Sequence, residues 1–171
     1  LKGLRCDIVV NNGAMHHVAY INKLTRRLYD LVHPRGIYVL MDYTGPHRNQ
    51  YSWTAWSKTV ETNASLPEKY RVELVYPHIK TMLAHDPTEA IHSELQLEVL
   101  SRYFDFQEQV NLGGGLAYHL LFQNRNLLAE QNTDEGSAVI RSIVDADQKF
   151  TTNHPETNLF SFVVATRKHG A

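Results

Sequence analysis

Two short segments carry the side chains best suited to acid–base chemistry. The first is Asn11-Asn12-Gly13, followed two residues later by His16-His17. Because imidazole titrates near neutral pH, His17 is a candidate general base for a hydroxyl or amine, and His16 a candidate substrate contact. In the alternative interpretation, the histidine pair begins a helix and hydrogen-bonds to the backbone.

The second segment is the loop at residues 42–51, DYTGPHRNQY. Tyr43 can orient a reacting molecule or close the end of a sheet. Arg48 can bind a carboxylate in a forked geometry or form a surface ion pair. Gln50 and Tyr51 belong to the same loop and are predicted to contact substrate.

Two tryptophans follow this loop. Trp53 and Trp56 are three residues apart, which places both on one face of a helix. They fit either a hydrophobic core or an aromatic surface that receives a flat or apolar molecule.

The elements around the two segments predict a parallel pair of strands. Residues 6–10 have the pattern of a buried strand, an apolar stripe predicts a helix over 17–32, and 37–41 predict a second strand. This order implies a right-handed crossover, and ligands of such sheets lie beyond the carboxyl ends of the strands. Both polar segments follow those ends, so we expect them to face one crevice.

The rest of the chain predicts helices and then strands. Residues 51–103 are mostly helical by pattern, with a break at Leu66-Pro67 and a helix start at 86–89, DPTE. Strands are predicted from Phe106, over 116–122 and over 159–165, with a charged helix at 134–147 and a glycine turn at 113–115. A plain crossover needs roughly a dozen residues, so 51–105 predict a helical insertion that serves as a lid.

Several of these runs resemble one enzyme family. DIVV followed by NNGAMHHV, residues 7–18, resembles the fourth strand and following loop of class I S-adenosylmethionine-dependent methyltransferases. HPRGIYVL, residues 33–40, is similar to the start of their fifth strand. Residues 42–51 resemble the D-Y-x-G-P-x-R-x-Q-aromatic loop of one subgroup, and the closing strands match the family's C-terminal antiparallel pair.

The resemblance implies an α/β fold with a partial Rossmann-like methyltransferase sheet, made of the fourth to seventh strands, the last pair antiparallel, with a helical insertion. It also implies S-adenosylmethionine as cofactor and a small-molecule methyl acceptor. We assign catalytic roles to His17 and Tyr43 and cofactor contacts to Asn11, Asn12 and Gly13. The expected substrate contacts are His16, Arg48, Gln50, Tyr51, Trp53 and Trp56.

The chain departs from the family in two ways. Ile37 stands where the family has a second glycine, and the 171 residues contain no G-x-G-x-G loop after a first strand. Gly113-Gly114-Gly115 does not replace that loop, because a strand is predicted after it. We therefore expect residues 1–171 to be the C-terminal part of a single methyltransferase domain. Alone, this part should bind cofactor weakly and be inactive, and it should need a missing N-terminal half or associate with itself.

Two other functions stay open. Asn11-Asn12-Gly13-Ala14 and the spacing of Tyr76 and Lys80 also resemble short-chain dehydrogenases, which bind NAD(P). Pro77 lies inside that Y-x-x-x-K turn, however, and the loop residues are in a different order from that family's. The third possibility is a non-catalytic binding domain with a methyltransferase-like fold.

Composition excludes several classes of protein. Of 171 residues, 43% are hydrophobic and 20% charged, with a formal net charge of -1, so neither nucleic acid nor an anionic membrane is an expected partner. Cys6 is the single cysteine, which rules out an internal disulfide and fits a reducing compartment such as the cytoplasm. The ten histidines show no metal-binding spacing, so no metal site is predicted.

Overall fold

The computed structural model describes residues 3–169. The regular elements of this part of the chain alternate between strands and helices, with short 3-10 turns between several of them. In chain order they are β1 (Cys6–Asn12), α1 (Ile21–Leu31), β2 (Val32–Tyr43), α2 (Trp53–Ser65), α3 (Ile79–His85), α4 (Gln96–Ser101), β3 (Phe104–Gly113), α5 (Ala117–Leu121), α6 (Arg125–Glu130), α7 (Asp134–Asn153) and β4 (Phe160–Arg167). No helix among the described residues is long and apolar enough to span a lipid bilayer.

The strands form one sheet in the order β1-β2-β4-β3. β1 and β2 are parallel, with Val9 opposite Tyr38, and β2 and β4 are antiparallel, with Leu40 opposite Val163. Backbone hydrogen bonds join the start of β3 to the end of β4 and the end of β3 to the start of β4, so this pair is also antiparallel. The predicted sheet is confirmed: a parallel crossover pair followed by an antiparallel closing pair.

The chain divides into two compact units. The first contains the residues up to Gln50, His78–Leu112 and those from Phe160 onwards, and the second contains Tyr51–Pro77 and Gly113–Leu159. The predicted insertion at 51–105 is therefore shared between the units, and its role as a lid remains a prediction.

The core of the first unit lies between the sheet and helices α1 and α4. Tyr38 and Leu40 alternate inward along β2 and are fully buried, and Tyr38 stacks on Phe104 with ring centroids 5.3 Å apart. From α1, Ile21 and Tyr29 are buried on the helix face that meets this core. The predicted helix begins at Ile21 instead of residue 17, because residues 15–17 form a separate 3-10 turn.

Gly36 allows β1 and β2 to approach each other. A Cβ at this position would lie 2.7 Å from the carbonyl oxygen of Asp7 and 2.9 Å from that of Cys6. Any larger residue would push the two strands apart, since neither contact is with a flexible side chain. The glycine that marked the start of the second strand is thus required by backbone packing.

The second unit is a helical layer around its own core. The buried apolar side chains come from the segment after α2, from α5 and α6, and from α7; they are Leu66, Tyr70, Leu116, Leu120, Leu127 and Ile143. The strand predicted over 116–122 is wrong, because residues 117–121 form helix α5. Leu116 and Leu120 are four residues apart and share one buried face, a spacing that a short apolar run does not distinguish from a buried strand.

The carboxylate of Asp147 stabilises the start of helix α5. It accepts hydrogen bonds from the backbone N–H groups of Gly114, Leu116 and Ala117 at 2.8, 2.7 and 3.1 Å. These donors lie at the start of α5, where a helix leaves its N–H groups unpaired. The glycine run therefore precedes a helix after all, but a carboxylate of the same unit already occupies its donors.

The helix start predicted at residues 86–89 is also wrong. Asp86 does accept hydrogen bonds from the N–H and hydroxyl of Thr88, at 2.8 and 2.6 Å, but the chain continues as a turn. Ala90 has a φ of 47°, a left-handed conformation that a helix does not tolerate. The next α-helix, α4, begins only at Gln96.

β1 is an edge strand of the sheet that the described residues form. Its Ile8 and Val10 side chains are 61% and 64% exposed. An open edge with apolar side chains favours pairing with another chain, so self-association remains a prediction of the structure.

An aromatic cluster in the second unit surrounds His119. Its ring lies 4.5 Å from the Tyr51 ring and 5.6 Å from the Trp56 ring, both edge to face. Burial lowers the pKa of His119 to about 4, although the negative charge of Asp147 opposes the shift. The histidine is therefore neutral at pH 7 in the folded chain.

This burial predicts acid sensitivity of the second unit. The folded pKa lies below the unfolded value of about 6.5, so the unfolded chain binds the proton more readily. Stability should fall as pH drops from about 6.5 to 4, by up to about 3 kcal/mol. Urea unfolding at pH 7 and pH 5 measures the loss, and His119→Gln should reduce it. The more exposed His154→Gln serves as control; equal pH dependence in both variants and the parent chain would contradict the assignment.

Candidate functional site

The buried carboxylate of Asp42 ties the loop after β1 to the end of β2. Its Oδ2 accepts hydrogen bonds from Asn11 Nδ2 at 2.7 Å, Ala14 N at 3.1 Å and Met15 N at 2.7 Å. Its Oδ1 lies 2.5 Å from His16 Nδ1. The two polar segments that the sequence predicted at one crevice therefore share a single anchor.

Asp42 and His16 each favour the charged form of the other. Burial alone would raise the pKa of Asp42, but hydrogen bonds from His16, Met15 N and Asn11 outweigh it and hold that pKa below its ordinary value. Burial works against charge on His16 as well, yet the hydrogen bond to Asp42 and the nearby carboxylates raise the His16 pKa. Asp42 therefore remains ionised at neutral pH and requires a hydrogen on Nδ1 of His16.

Glu89 brings a carboxylate to both histidines. Its Oε2 lies 3.8 Å from His16 Nε2 and 3.6 Å from His17 Nε2, and the two imidazole centroids are 4.1 Å apart. The side chains are 12% exposed for His16, 36% for His17 and 30% for Glu89. This His16–His17–Glu89 cluster is thus accessible from outside the chain.

Arg48 holds the turn that carries Glu89. Its Nη1 donates to the carbonyl oxygens of Pro87 and Glu89 at 2.6 and 3.1 Å, and its backbone N–H donates to Ala90 O at 2.8 Å. Ile91 N donates in turn to His16 O at 3.0 Å. Three segments that are far apart in the sequence meet here, and the described hydrogen bonds of the Arg48 guanidinium go to main-chain carbonyls.

The other predicted residues of the first unit have distinct environments. Asn12 and Gly13 lie exposed at the carboxyl end of β1, where Gly13 has a φ of 60° and donates its N–H to Met41 O at 2.9 Å. Tyr43 is buried, and its hydroxyl donates to Pro46 O at 3.3 Å. Gln50 Nε2 donates to Arg48 O at 2.9 Å, which stabilises the loop.

The predicted aromatic contacts belong to the second unit. Tyr51, Trp53, Trp56 and Tyr76 line a pocket of about 330 Å³. Trp56 packs against Tyr51 and Tyr76, whereas Trp53 is 80% exposed. The structure therefore separates the predicted site residues into a polar group in the first unit and an aromatic group in the second.

Sequence reasoning missed Glu89 and its neighbour Asn49. Asn49 Nδ2 lies 3.4 Å from Glu89 Oε1. No local spacing could have revealed Glu89, because it is more than seventy residues from the histidines. Its one sequence signal, the D-P-T-E run, pointed instead to a helix start.

The comparisons with known proteins concern the fold. No protein-family model matches the chain, and neither does any curated protein. Among solved structures, a cyclopropane synthase from Mycobacterium tuberculosis matches with a TM-score of 0.51 and 15% identity, over 96% of this chain and 56% of that one. The likeness confirms the predicted Rossmann-like α/β fold.

Two further structures match more loosely. Phosphoethanolamine N-methyltransferase 2 from Haemonchus contortus, in complex with S-adenosylmethionine, has a TM-score of 0.49 at 15% identity over 95% of this chain. Geranyl diphosphate C-methyltransferase from Streptomyces coelicolor has a TM-score of 0.45 at 13% identity over 97% of this chain. The chain spans 33% and 49% of these two proteins.

The anchor role of Asp42 predicts a stability defect. In Asp42→Asn, the new amide nitrogen faces N–H donors, and buried hydrogen bonds are lost. We expect the free energy of unfolding to fall by about 3 kcal/mol. Urea unfolding measures this against Asp30→Asn, an exposed residue of α1 that should change stability by less than about 0.5 kcal/mol. Similar small effects in both variants would show that Asp42 is not the anchor.

Proposed function

We propose that this chain takes part in S-adenosylmethionine-dependent methyl transfer to a small-molecule acceptor. The observation that carries the proposal is the Asp42 anchor, which ties the loop after β1 to the end of the adjacent parallel strand β2 at one edge of the sheet. In open α/β sheets ligands lie at that edge. The fold shared with the cyclopropane synthase supports the proposal.

The tip of the loop after β1 is the proposed cofactor contact of this chain. Asn12 is exposed there, and a Cβ at Gly13 would meet nothing within 4 Å, so an extended ligand can approach the backbone closely. Asn11 holds the end of β1 that leads into this tip, because its side-chain amide donates a hydrogen bond to Asp42. The cofactor supplies an electrophilic methyl group, and the 171 residues contain no G-x-G-x-G loop to hold its remainder.

His17 is the proposed proton acceptor. Its Nδ1 lies 3.2 Å from Thr88 Oγ1, whose hydrogen is donated to Asp86, so Nδ1 carries the hydrogen and Nε2 keeps its lone pair. A hydroxyl or amine placed at Nε2 can therefore lose its proton to His17 as the methyl group is transferred. Tyr43 contributes by position, because its ring packs edge to face on His16 with centroids 6.0 Å apart.

The dehydrogenase alternative finds less support. That chemistry needs Tyr76 and Lys80 on one helical turn, but α3 begins at Ile79, after the tyrosine. The hydroxyl of Tyr76 donates to Tyr51 O at 2.9 Å. The remaining alternative is a non-catalytic binding domain, and experiment must distinguish it from a methyltransferase.

Methyl transfer is tested by joining the chain to a preceding segment that bears a glycine-rich loop. We expect the 171-residue chain alone to show no micromolar affinity for S-adenosylmethionine in calorimetric titration, and the longer protein to bind it. The longer protein should then transfer a tritium-labelled methyl group to an amine or hydroxyl acceptor. His17→Gln should lower kcat about 100-fold or more, whereas His92→Gln, which changes a partly exposed histidine outside this cluster, should not. Binding without transfer, across acceptors of both kinds, would support the non-catalytic domain instead.

The aromatic pocket predicts a separate effect on the acceptor. In the longer protein, Trp53→Ala should raise the KM for an apolar or flat acceptor about 3- to 10-fold, since an aromatic contact contributes about 0.5–1.5 kcal/mol. The affinity for S-adenosylmethionine should stay unchanged. Phe122→Ala removes another exposed aromatic ring of the same unit and is the matched control. An equal loss of both affinities, or no change in KM, would place the acceptor elsewhere.

A further inference from the structure

We propose that His16, His17 and Glu89 form a binding site for a divalent transition-metal ion, with zinc as the best fit. The two imidazoles and one carboxylate offer ligand atoms that all lie within 4.8 Å of one another. Imidazole and carboxylate are ligands that zinc accepts, and three protein ligands leave one position open for water or another oxygen. The site is formed within the first unit alone.

The distances fit a small contraction around one ion. With bonds of about 2.0–2.1 Å, two ligand atoms of a tetrahedral zinc site are roughly 3.3 Å apart. Glu89 Oε2 lies 3.6 Å from His17 Nε2 and 3.8 Å from His16 Nε2. Shifts of about half an ångström or less would close these two distances, and the two imidazole ligand atoms lie within 4.8 Å of each other. The partly exposed side chains of Glu89 and His17 have rotatable bonds that can bring the three ligand atoms together.

Each ligand has an outer partner that fixes its orientation. His16 is held at Nδ1 by Asp42, and His17 at Nδ1 by Thr88. Glu89 is held at Oε1 by Asn49, at 3.4 Å, which leaves Oε2 directed at both histidines. Metal-binding histidines in proteins characteristically donate their second ring N–H to a carboxylate or another oxygen. Ligands with such partners keep Nε2 free for the metal.

Carboxylates surround the two imidazole rings. Asp42 Oδ1 lies 2.5 Å from His16 Nδ1, and Asp86 Oδ2 lies 3.6 Å from His17 Nδ1. Together with Glu89 they place three carboxylates around the candidate site, and this local negative charge favours binding of a cation. The guanidinium of Arg48 donates to the main-chain carbonyls of Pro87 and Glu89.

A second group of the same residue types offers an internal comparison. His47, His92 and Glu94 also lie within reach of one ion. His47 and Glu94 are exposed, the two rings are 6.1 Å apart, and His47 Nδ1 itself faces Glu94 at 3.9 Å. No outer partner orients these rings among the contacts described, so this group is the control.

The metal and a proton compete for the same atom. His17 Nε2 cannot coordinate zinc and accept a proton from an acceptor at the same time. Metal binding can nevertheless be tested separately from methyl transfer, because it requires only this chain and no cofactor. Its failure would leave the proposed function untouched, and the reverse also holds.

Titration of the 171-residue chain with Zn²⁺ tests the site. We expect one high-affinity Zn²⁺ per chain by calorimetry, and a visible d–d absorption band of tetrahedral type when Co²⁺ replaces it. Glu89→Gln and His17→Ala should each weaken zinc binding on the order of 100-fold and remove the cobalt band. Both side chains are partly exposed, so the variants should keep the circular dichroism of the parent chain. The double variant His47→Ala/His92→Ala should bind as the parent does.

Three results would overturn the proposal. The first is absence of zinc binding by the parent chain. The second is loss of binding in the His47→Ala/His92→Ala variant, with Glu89→Gln unaffected. The third is a cobalt spectrum that keeps its intensity in folded Glu89→Gln and His17→Ala.

Discussion

The buried carboxylate of Asp42 is the interaction on which the site depends. Two parallel strands bring their carboxyl ends to one edge of a sheet, but they do not by themselves order the loops that follow. Asp42 does so for the loop after β1, because one side chain at the end of β2 accepts hydrogen bonds from the Asn11 side chain of β1 and from two backbone N–H groups of that loop. The cost of burying its charge is offset by these donors and by His16. The loop conformation and the orientation of His16 are therefore set by the same group.

The second unit also contains a buried carboxylate that binds backbone N–H groups, but there it stabilises the start of a helix. Asp147, a buried residue of α7, accepts hydrogen bonds from three backbone N–H groups at the start of α5. In both units a carboxylate satisfies donors that a loop or helix end would otherwise bury unpaired. Around Asp42, however, one member of the network is His16, whose other ring nitrogen lies 3.8 Å from Glu89 Oε2. Asp147 therefore stabilises only a helix start, whereas Asp42 also orients a histidine side chain.

Chemistry at the site follows from which histidine nitrogen is free. The Nδ1 atoms of His16 and His17 are committed to Asp42 and to Thr88, and both Nε2 atoms lie near Glu89. The proposed roles are proton acceptance in methyl transfer by one such nitrogen, and metal binding by the pair together with Glu89. The turn carrying Glu89 stays in place because Arg48 and His16 bind its backbone. Arg48 is thereby explained as a positioning residue by its contacts, while a role in binding acceptor stays a prediction.

The sequence by itself determined the parallel crossover pair, the closing strand 159–165 and the two polar loops, since these rest on local patterns: apolar runs of strand length, helical spacing and turn residues. The short run at 116–122 was predicted wrongly because apolar residues four apart fit a helix face and a buried strand alike, and Asp147, thirty residues away, decides between them. The turn at 86–91 was predicted wrongly because Asp86 binds Thr88 identically in a turn and at a helix start, and contacts with Arg48 settle the outcome. Only the tertiary structure placed Glu89 beside His16 and His17, because that contact joins segments whose spacing in the chain carries no periodic signal.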